Sequence, residues 1–146
     1  MIVLRAFSEE DVPVLKQNML RDKSDAEIRG VLQEWQTLCF GGKYFEMLAI
    51  VDGDCVVGSI SLYQHNQYII SAGSEVFLPY RRRGYAFEAM KQALLHAKDL
   101  GYRIATAQIR KNNPASIKLH EKLGFVLDCE TVNKRGNEVF IYVKLL

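Results

Sequence analysis

One passage constrains the fold of this chain more than any other. An apolar, strand-like run, Tyr68–Leu78, is closed by Pro79; a helix-periodic stretch follows from Gly84 to Leu100; a second strand-like run, Arg103–Ile109, comes after it. Within the helical stretch Ala86, Met90, Ala93, Leu94 and Ala97 share one face, and Gly101 suits the left-handed position after a helix. Two strands joined through a helix lie parallel, with a right-handed crossover. The neighbouring segments read differently. Phe45–Val51 and Cys55–Tyr63 flank Asp52-Gly53-Asp54, a hairpin turn, and Phe125–Val132 and Glu138–Leu146 flank Lys134-Arg135-Gly136-Asn137. Hairpins are antiparallel. The expected sheet is therefore mixed, mostly antiparallel, with a central parallel pair.

The remaining elements follow from capping signals. Ile2–Phe7 reads as a first strand. Ser8 caps a helix running to about Leu20, with Glu9, Glu10 and Asp11 in its first turn. Ser24 with Glu27 repeats the capping box ahead of Ile28, Val31, Leu32, Trp35 and Leu38 at helical spacing. Asn113-Pro114 opens a last helix that stops at Gly124. The order is β-α-α-β-β-β-α-β-α-β-β, an α/β fold of mixed α+β character with helices on both faces. No linker or repeat interrupts it, so residues 1–146 are expected to form one domain.

Composition narrows the function classes. A net charge of +2 is too small for a nucleic-acid scaffold, which needs a broad basic face. The opening Met1-Ile2-Val3-Leu4-Arg5 meets charge too early for a signal-peptide core, and no apolar run is long enough to span a bilayer. Cys39, Cys55 and Cys129 show no CxxC spacing and read as buried small hydrophobes. A cytoplasmic protein without membrane, metal or nucleic-acid partner is the expectation.

Positive charge clusters in Val76-Phe77-Leu78-Pro79-Tyr80-Arg81-Arg82-Arg83-Gly84-Tyr85-Ala86, where a strand ends and a helix begins. A helix start presents unpaired N–H groups and the positive end of its dipole, and Gly84 lets an anion approach the backbone. A pyrophosphate suits this turn. Neither a Gly-Lys-Ser/Thr nor a GxGxxG pattern is present. On the turn alone, a solvated arginine run capping a surface helix is an equal alternative.

The downstream residues change the balance. Arg81-x-x-Gly84-x-Ala86 resembles the Q/R-x-x-G-x-G/A acyl-CoA signature of the GNAT superfamily of N-acyltransferases, and Asn113 to Phe125 resembles its second motif, N-x-x-(A/S)-x-x-L-Y-E-K-x-G-F. The motifs stand in the family's order, and the element order matches along essentially the whole chain. The resemblance implies a GNAT-like three-layer fold. It also implies transfer of an acetyl group from acetyl-CoA to a primary amine, by direct attack in a ternary complex. Cofactor contacts are implied at Val76, Phe77, Leu78, Arg81, Arg82, Arg83, Gly84, Tyr85, Ala86, Asn113 and Ser116. The pyrophosphate falls to the amides from Arg81 to Ala86, and the pantetheine arm to a notch between the third strand and Arg103–Ile109. A backbone N–H near Val76 or Phe77 is implied as oxyanion donor. Homodimers pairing through edge strands are implied too; the last strand ends apolar, at Ile141, Val143 and Leu145.

Two side chains are candidates for proton transfer. An alkylammonium, with a reference pKa of about 10.4, is almost wholly protonated at neutral pH, so a base assists. Glu75 is a lone acid in an apolar strand, a setting in which burial strengthens a carboxylate as base; an ordinary ion pair is the alternative. His120 stands where the family places a Tyr acid. Imidazole titrates near 6.5 and a thiol near 8.5, so imidazolium is an easier proton donor than a phenol but is scarcer at neutral pH. Tyr80 and Tyr85, near in sequence, are expected to pack. A zinc reading of His120-Glu121 lacks a second His at helical spacing. His65 and His96 read as surface residues, and Trp35 as core.

The acceptor is expected to be a small-molecule amine. A protein or peptide amine is the alternative, with Asp22, Asp25 and Glu27 as contributors to an acidic groove. A non-catalytic acyl-CoA sensor and a nucleic-acid module built on Arg81–Arg83 are the readings from other classes. The second is opposed by the near-neutral charge and by the lack of interleaved aromatics.

Overall fold

The computed structural model describes residues 1–146. Its strands are β1 (Ile2–Ala6), β2 (Cys39–Phe40), β3 (Lys43–Asp52), β4 (Cys55–Gln64), β5 (Ile69–Val76), β6 (Ile104–Arg110), β7 (Val126–Val132) and β8 (Glu138–Leu145). Its helices are α1 (Val12–Asn18), α2 (Asp25–Gln36), α3 (Tyr85–Asp99) and α4 (Pro114–Lys122). The expected order holds, with the two-residue β2 as an addition. Strand order across the sheet is β1-β3-β4-β5-β6-β8-β7, with β2 paired to β3. Only β5 and β6 run parallel.

Helices cover both faces because strand residues alternate between them. Leu48, Ile50, Ile60, Leu62, Ile70, Ala72, Ala105 and Ala107 pack with Ala89, Met90, Ala93, Leu94 and Ala97 of α3; Ile117 and Leu119 of α4 join them. On the other face Ala49, Val56 and Phe77 meet Val12, Leu15, Ile28 and Leu32 of α1 and α2. Three layers result.

Several boundaries differ from expectation, each for a local reason. The first helix begins as a 3-10 turn, Glu9–Asp11, before α1. Pro13 lacks the N–H that would reach back to the first turn's carbonyls. The second helix stops at Gln36, so Leu38, left-handed at φ 54° and exposed, falls outside its apolar face. The third strand stops at Val76, because Phe77 turns into a 3-10 segment, Leu78–Tyr80, that contains Pro79. The three cysteines are exposed rather than buried: Cys39 lies in β2, Cys55 borders the hairpin turn, and Cys129 is on the edge strand β7. The last strand is not an edge either. β8 inserts between β6 and β7, so its backbone is paired on both sides; Ile141 and Val143 are half-buried and Leu145 is exposed. No helix is long and apolar enough to cross a membrane.

Candidate active site

The parallel ladder between β5 and β6 is short. It pairs Ile69 with Ile104, Ile70 with Ala105 and Ser71 with Thr106, and then ends, although the strands continue to Val76 and Arg110. A slit opens there in the middle of the sheet. On the α3/α4 side lies a cleft of about 600 Å³ whose lining includes Ser74, Glu75, Val76, Tyr80, Arg81, Arg82, Gly84, Tyr85, Ala86, Asn113 and Ser116. A second cavity, of about 500 Å³, shares Ser74 and Ser116 with it and adds Ser61, His65, Ser71, Ala72, Gly73, Thr106, Ala107, Gln108, His120 and Ile141. Ser61, Ser71 and Gly73 alternate with core residues of β4 and β5. The second cavity therefore reaches the α1/α2 side of the sheet.

The turn before α3 offers what an anion needs. Arg82 (φ 66°) and Gly84 (φ 80°) are both left-handed, a conformation that helps turn successive amides toward one side. The N–H groups of Arg82 through Phe87 donate to no protein acceptor; the first helical bond here runs from Glu88 N–H to the Gly84 carbonyl. Six consecutive amides stand open. Arg81 behaves otherwise. Its N–H reaches the Leu78 carbonyl at 3.4 Å, and its Nε donates to the Val76 carbonyl at 2.9 Å. The expected run of free amides from Arg81 to Ala86 thus shifts by one residue, and Arg81 pins the end of β5. Arg83 lies outside the cleft lining, its guanidinium 5.9 Å from the Tyr80 ring centre. Tyr85 donates its hydroxyl to Asp52, which raises its pKa.

Phe77 and Leu78 do not line the cleft. The Phe77 N–H donates to the Val57 carbonyl at 2.8 Å, and its side chain is buried in the α1/α2 core. Leu78 points to solvent. Since amides alternate sides along a strand, Phe77 bonding to β4 turns the N–H of Val76 toward β6, past the end of the ladder. Of the two expected donors, only Val76 has an amide facing the slit.

Glu75 is exposed and has no salt-bridge or hydrogen-bond partner. It pairs across the ladder with Ser59, so its side chain lies on the α1/α2 face. The burial expected of a lone acid in an apolar strand is missing, because the strand end beside the open slit is solvated.

His120 is buried. Its Nδ1 lies 2.8 Å from the Ser116 carbonyl and 3.4 Å from Ser116 Oγ, and its ring meets Phe125 edge-on at 5.0 Å. Burial lowers its pKa below the ordinary imidazole value, and the Ser116 carbonyl only partly offsets this. The ring rests neutral at pH 7, contrary to the imidazolium that a resting general acid requires. Asn113 caps α4, its Oδ1 accepting from Ser116 N–H at 3.2 Å.

The acidic residues expected near an acceptor groove are engaged or remote. Asp25 pairs with Lys16 at 3.1 Å, Glu27 accepts from the Ser24 amide at 3.0 Å, and Asp22 lines neither cavity. His96 lies 2.7 Å from Glu46, outside the site. Trp35 stacks 5.4 Å from Phe7 in the α1/α2 core. His65, by contrast, does line the second cavity, as do Ser61, Ser71, Ser74, Thr106 and Gln108. Part of the signal was present in the sequence, since Ser59 and Ser61, Ser71 and Gly73, and Thr106 and Gln108 alternate with apolar residues along β4, β5 and β6; Ser74 breaks that alternation.

A split sheet with open amides at one mouth places this chain among the N-acetyltransferases. It belongs to the acetyltransferase (GNAT) domain family, which it matches over residues 2–126, and it is an acetyl-CoA-dependent acyltransferase. Among curated proteins it is 28% identical over 134 residues to the SPbeta prophage-derived uncharacterized N-acetyltransferase YokL of Bacillus subtilis (strain 168), covering 86% of this chain and 76% of that one. Solved structures share the fold. The ribosomal L7/L12 alpha-N-protein acetyltransferase RimL in complex with coenzyme A superposes with a TM-score of 0.85 at 20% identity, over 99% of this chain and 94% of that one. The spermidine N-acetyltransferase of Vibrio cholerae, in complex with CoA and spermine, superposes with a TM-score of 0.82 at 17% identity, over 99% and 95%. Those neighbours act on a protein and on a polyamine respectively.

Proposed function

We propose that the chain acetylates a primary amine on a small molecule. In this reading the amides of Arg82 to Phe87 bind the acetyl-CoA pyrophosphate, and the slit holds the pantetheine arm. The observation that carries the proposal is the row of six unpartnered amides at the head of α3, at the mouth of a slit the sheet leaves open. Arg82, Arg83 and Gly84 are exposed, but Tyr85, Ala86 and Phe87 are half-buried, a setting in which amides normally find partners, so the open run suits an anion. Arg82 adds charge at the cleft wall, and Asn113 and Ser116 form the opposite wall. The acyl group supplied by acetyl-CoA would lie near the Val76 amide, which serves as oxyanion donor. Glu75, solvated and unpaired on the far face, attracts the ammonium form of the acceptor.

A peptide amine is the alternative acceptor class. Calorimetry with CoA, followed by thiol release over amino sugars, polyamines, amino acids and peptide N-termini, tests both levels. At about a hundredfold over its dissociation constant, CoA is expected to stabilise the fold by roughly 2.7 kcal/mol. Glu75→Gln is expected to raise KM with little change in kcat. Absence of CoA binding would remove the proposal; CoA binding with preference for a peptide would move the acceptor to the alternative class.

A further inference from the structure

The open amides from Arg82 to Phe87 leave the turn before α3 with little backbone bonding of its own, so side chains have to hold its shape. Arg81 reaches back to the Val76 carbonyl, and Arg83 lies over the Tyr80 ring. Both contacts stay within the turn and the strand that leads into it. Tyr85 does something different. Its hydroxyl donates to a carboxylate oxygen of Asp52, 33 residues earlier in the chain, and so ties the head of α3 to another part of the sheet.

Asp52 is a firm anchor. It closes β3 and is paired on both sides, with Ile2 of β1 and Cys55 of β4, so two ladders fix its backbone. The ordinary roles of an aspartate beside a hairpin turn are absent. Its carboxylate accepts from the Tyr85 hydroxyl and from no backbone N–H of the turn, and no Lys or Arg pairs with it. Asp52 and Tyr85 are both half-buried, and a bond from a phenol to a carboxylate is charge-assisted. The Asp52 carboxylate raises the Tyr85 pKa, an effect that Arg83 opposes, so the phenol keeps its proton to donate through the neutral range. By charge alone the residue is out of place. A carboxylate beside a turn that takes up a diphosphate repels that ligand.

We propose, resting on the acetyl-CoA reading above, that Asp52 is a positioning residue for the cofactor turn. Through the Tyr85 hydroxyl it holds the head of α3 against the β3–β4 hairpin, and the open amides keep one arrangement before the diphosphate arrives. Donors fixed in advance lose less freedom on binding, and the difference appears as affinity. Tyr85 lines the cleft and Asp52 does not line either cavity, so Asp52 acts on binding, through Tyr85, rather than on the chemical step.

The test separates position from charge with Asp52→Ala, Asp52→Asn and Tyr85→Phe. Calorimetry gives the CoA dissociation constant, thiol release gives KM and kcat, and thermal melting reports on the fold. D52A and Y85F are expected to weaken CoA binding and raise the acetyl-CoA KM by about tenfold, with kcat within about twofold. D52N keeps an oxygen that accepts from Tyr85 and is expected to stay within about threefold of the wild type. In the ligand-free protein, amide relaxation by NMR is expected to find Arg82 to Phe87 ordered in the wild type and D52N, and mobile on the ps–ns timescale in D52A and Y85F. An Asp52 that acted by charge would give the opposite sign, with D52A and D52N both binding CoA more tightly. That pattern overturns this inference alone, as does D52A or Y85F binding CoA like the wild type, or a loss confined to kcat. Failure of the wild type to bind CoA overturns the acetyl-CoA reading and this inference with it. If D52A melts early, Y85F, which removes only the hydroxyl, decides.

Discussion

His120 differs from a surface histidine in what acid does to the fold. Its folded-state pKa is depressed by burial, so between that value and the ordinary 6.5 the unfolded chain binds more protons than the folded one. Stability is therefore full above about 6.5, falls as pH drops through 6.5, and levels off below the depressed value. Urea unfolding at pH 7.5 and pH 5.5 is expected to show a larger loss in the wild type than in H120L, where this proton linkage is gone; equal losses would refute it. Asp11 works in a lower window. Burial alone would raise its pKa, but the Arg5 guanidinium at 2.7 Å and the Ser8 amide at 2.8 Å outweigh burial and lower it. Its contribution is present above the ordinary carboxylate range and is lost as pH falls through the depressed value, well below the range in which His120 responds.

At the scale of elements, the slit depends on how β4 and β5 meet. The β3–β4 register slips between Ile50 and Val51, so Val57 is the extra residue of a bulge and Gly58 follows it. A Cβ on Gly58 would come within 2.2 Å of the Glu75 carbonyl and 3.0 Å of Val76 Cα, both backbone atoms that cannot rotate away. Gly58→Ala is expected to push the end of β5 away from β4, costing about 1–3 kcal/mol, and to displace the Val76 amide from its place in the slit. Chemical denaturation and kcat together check this. A loss of stability without a loss of kcat would show that the amide's placement does not matter. The capping elements carry less weight. Ser24 and Glu27 exchange bonds of 3.0 and 3.2 Å at the start of α2, far from the chemistry.

Across the whole molecule, one sheet is held together by antiparallel ladders everywhere except at its centre, where three parallel pairs join its two halves. In the proposed complex, a ligand in the slit would complete that interface. Hydrogen exchange is therefore expected to slow at the amides of Ser74 and Val76 and from Arg82 to Phe87 when CoA is added. The Phe77 amide, already bonded to Val57, should change little. Uniform protection across the chain would point to global stabilisation instead.

The sequence by itself determined the elements and the turn proposed to bind an anion. Hydrophobic period, caps and Gly/Pro punctuation act over a few residues, so Ser24, Asn113, Gly101 and the strand–helix–strand unit could be read in order. The same signals mark Gly84 as a helix start with spare amides. What required the folded chain was every property set by distant neighbours. Exposure of Cys55 and Glu75, the committed amide of Phe77 and the placement of β8 inside the sheet depend on strands far apart in sequence. So do the polar cavity around His65 and the burial of His120. Burial and partner choice are non-local, and they decide which of the chemically able residues are left free to act.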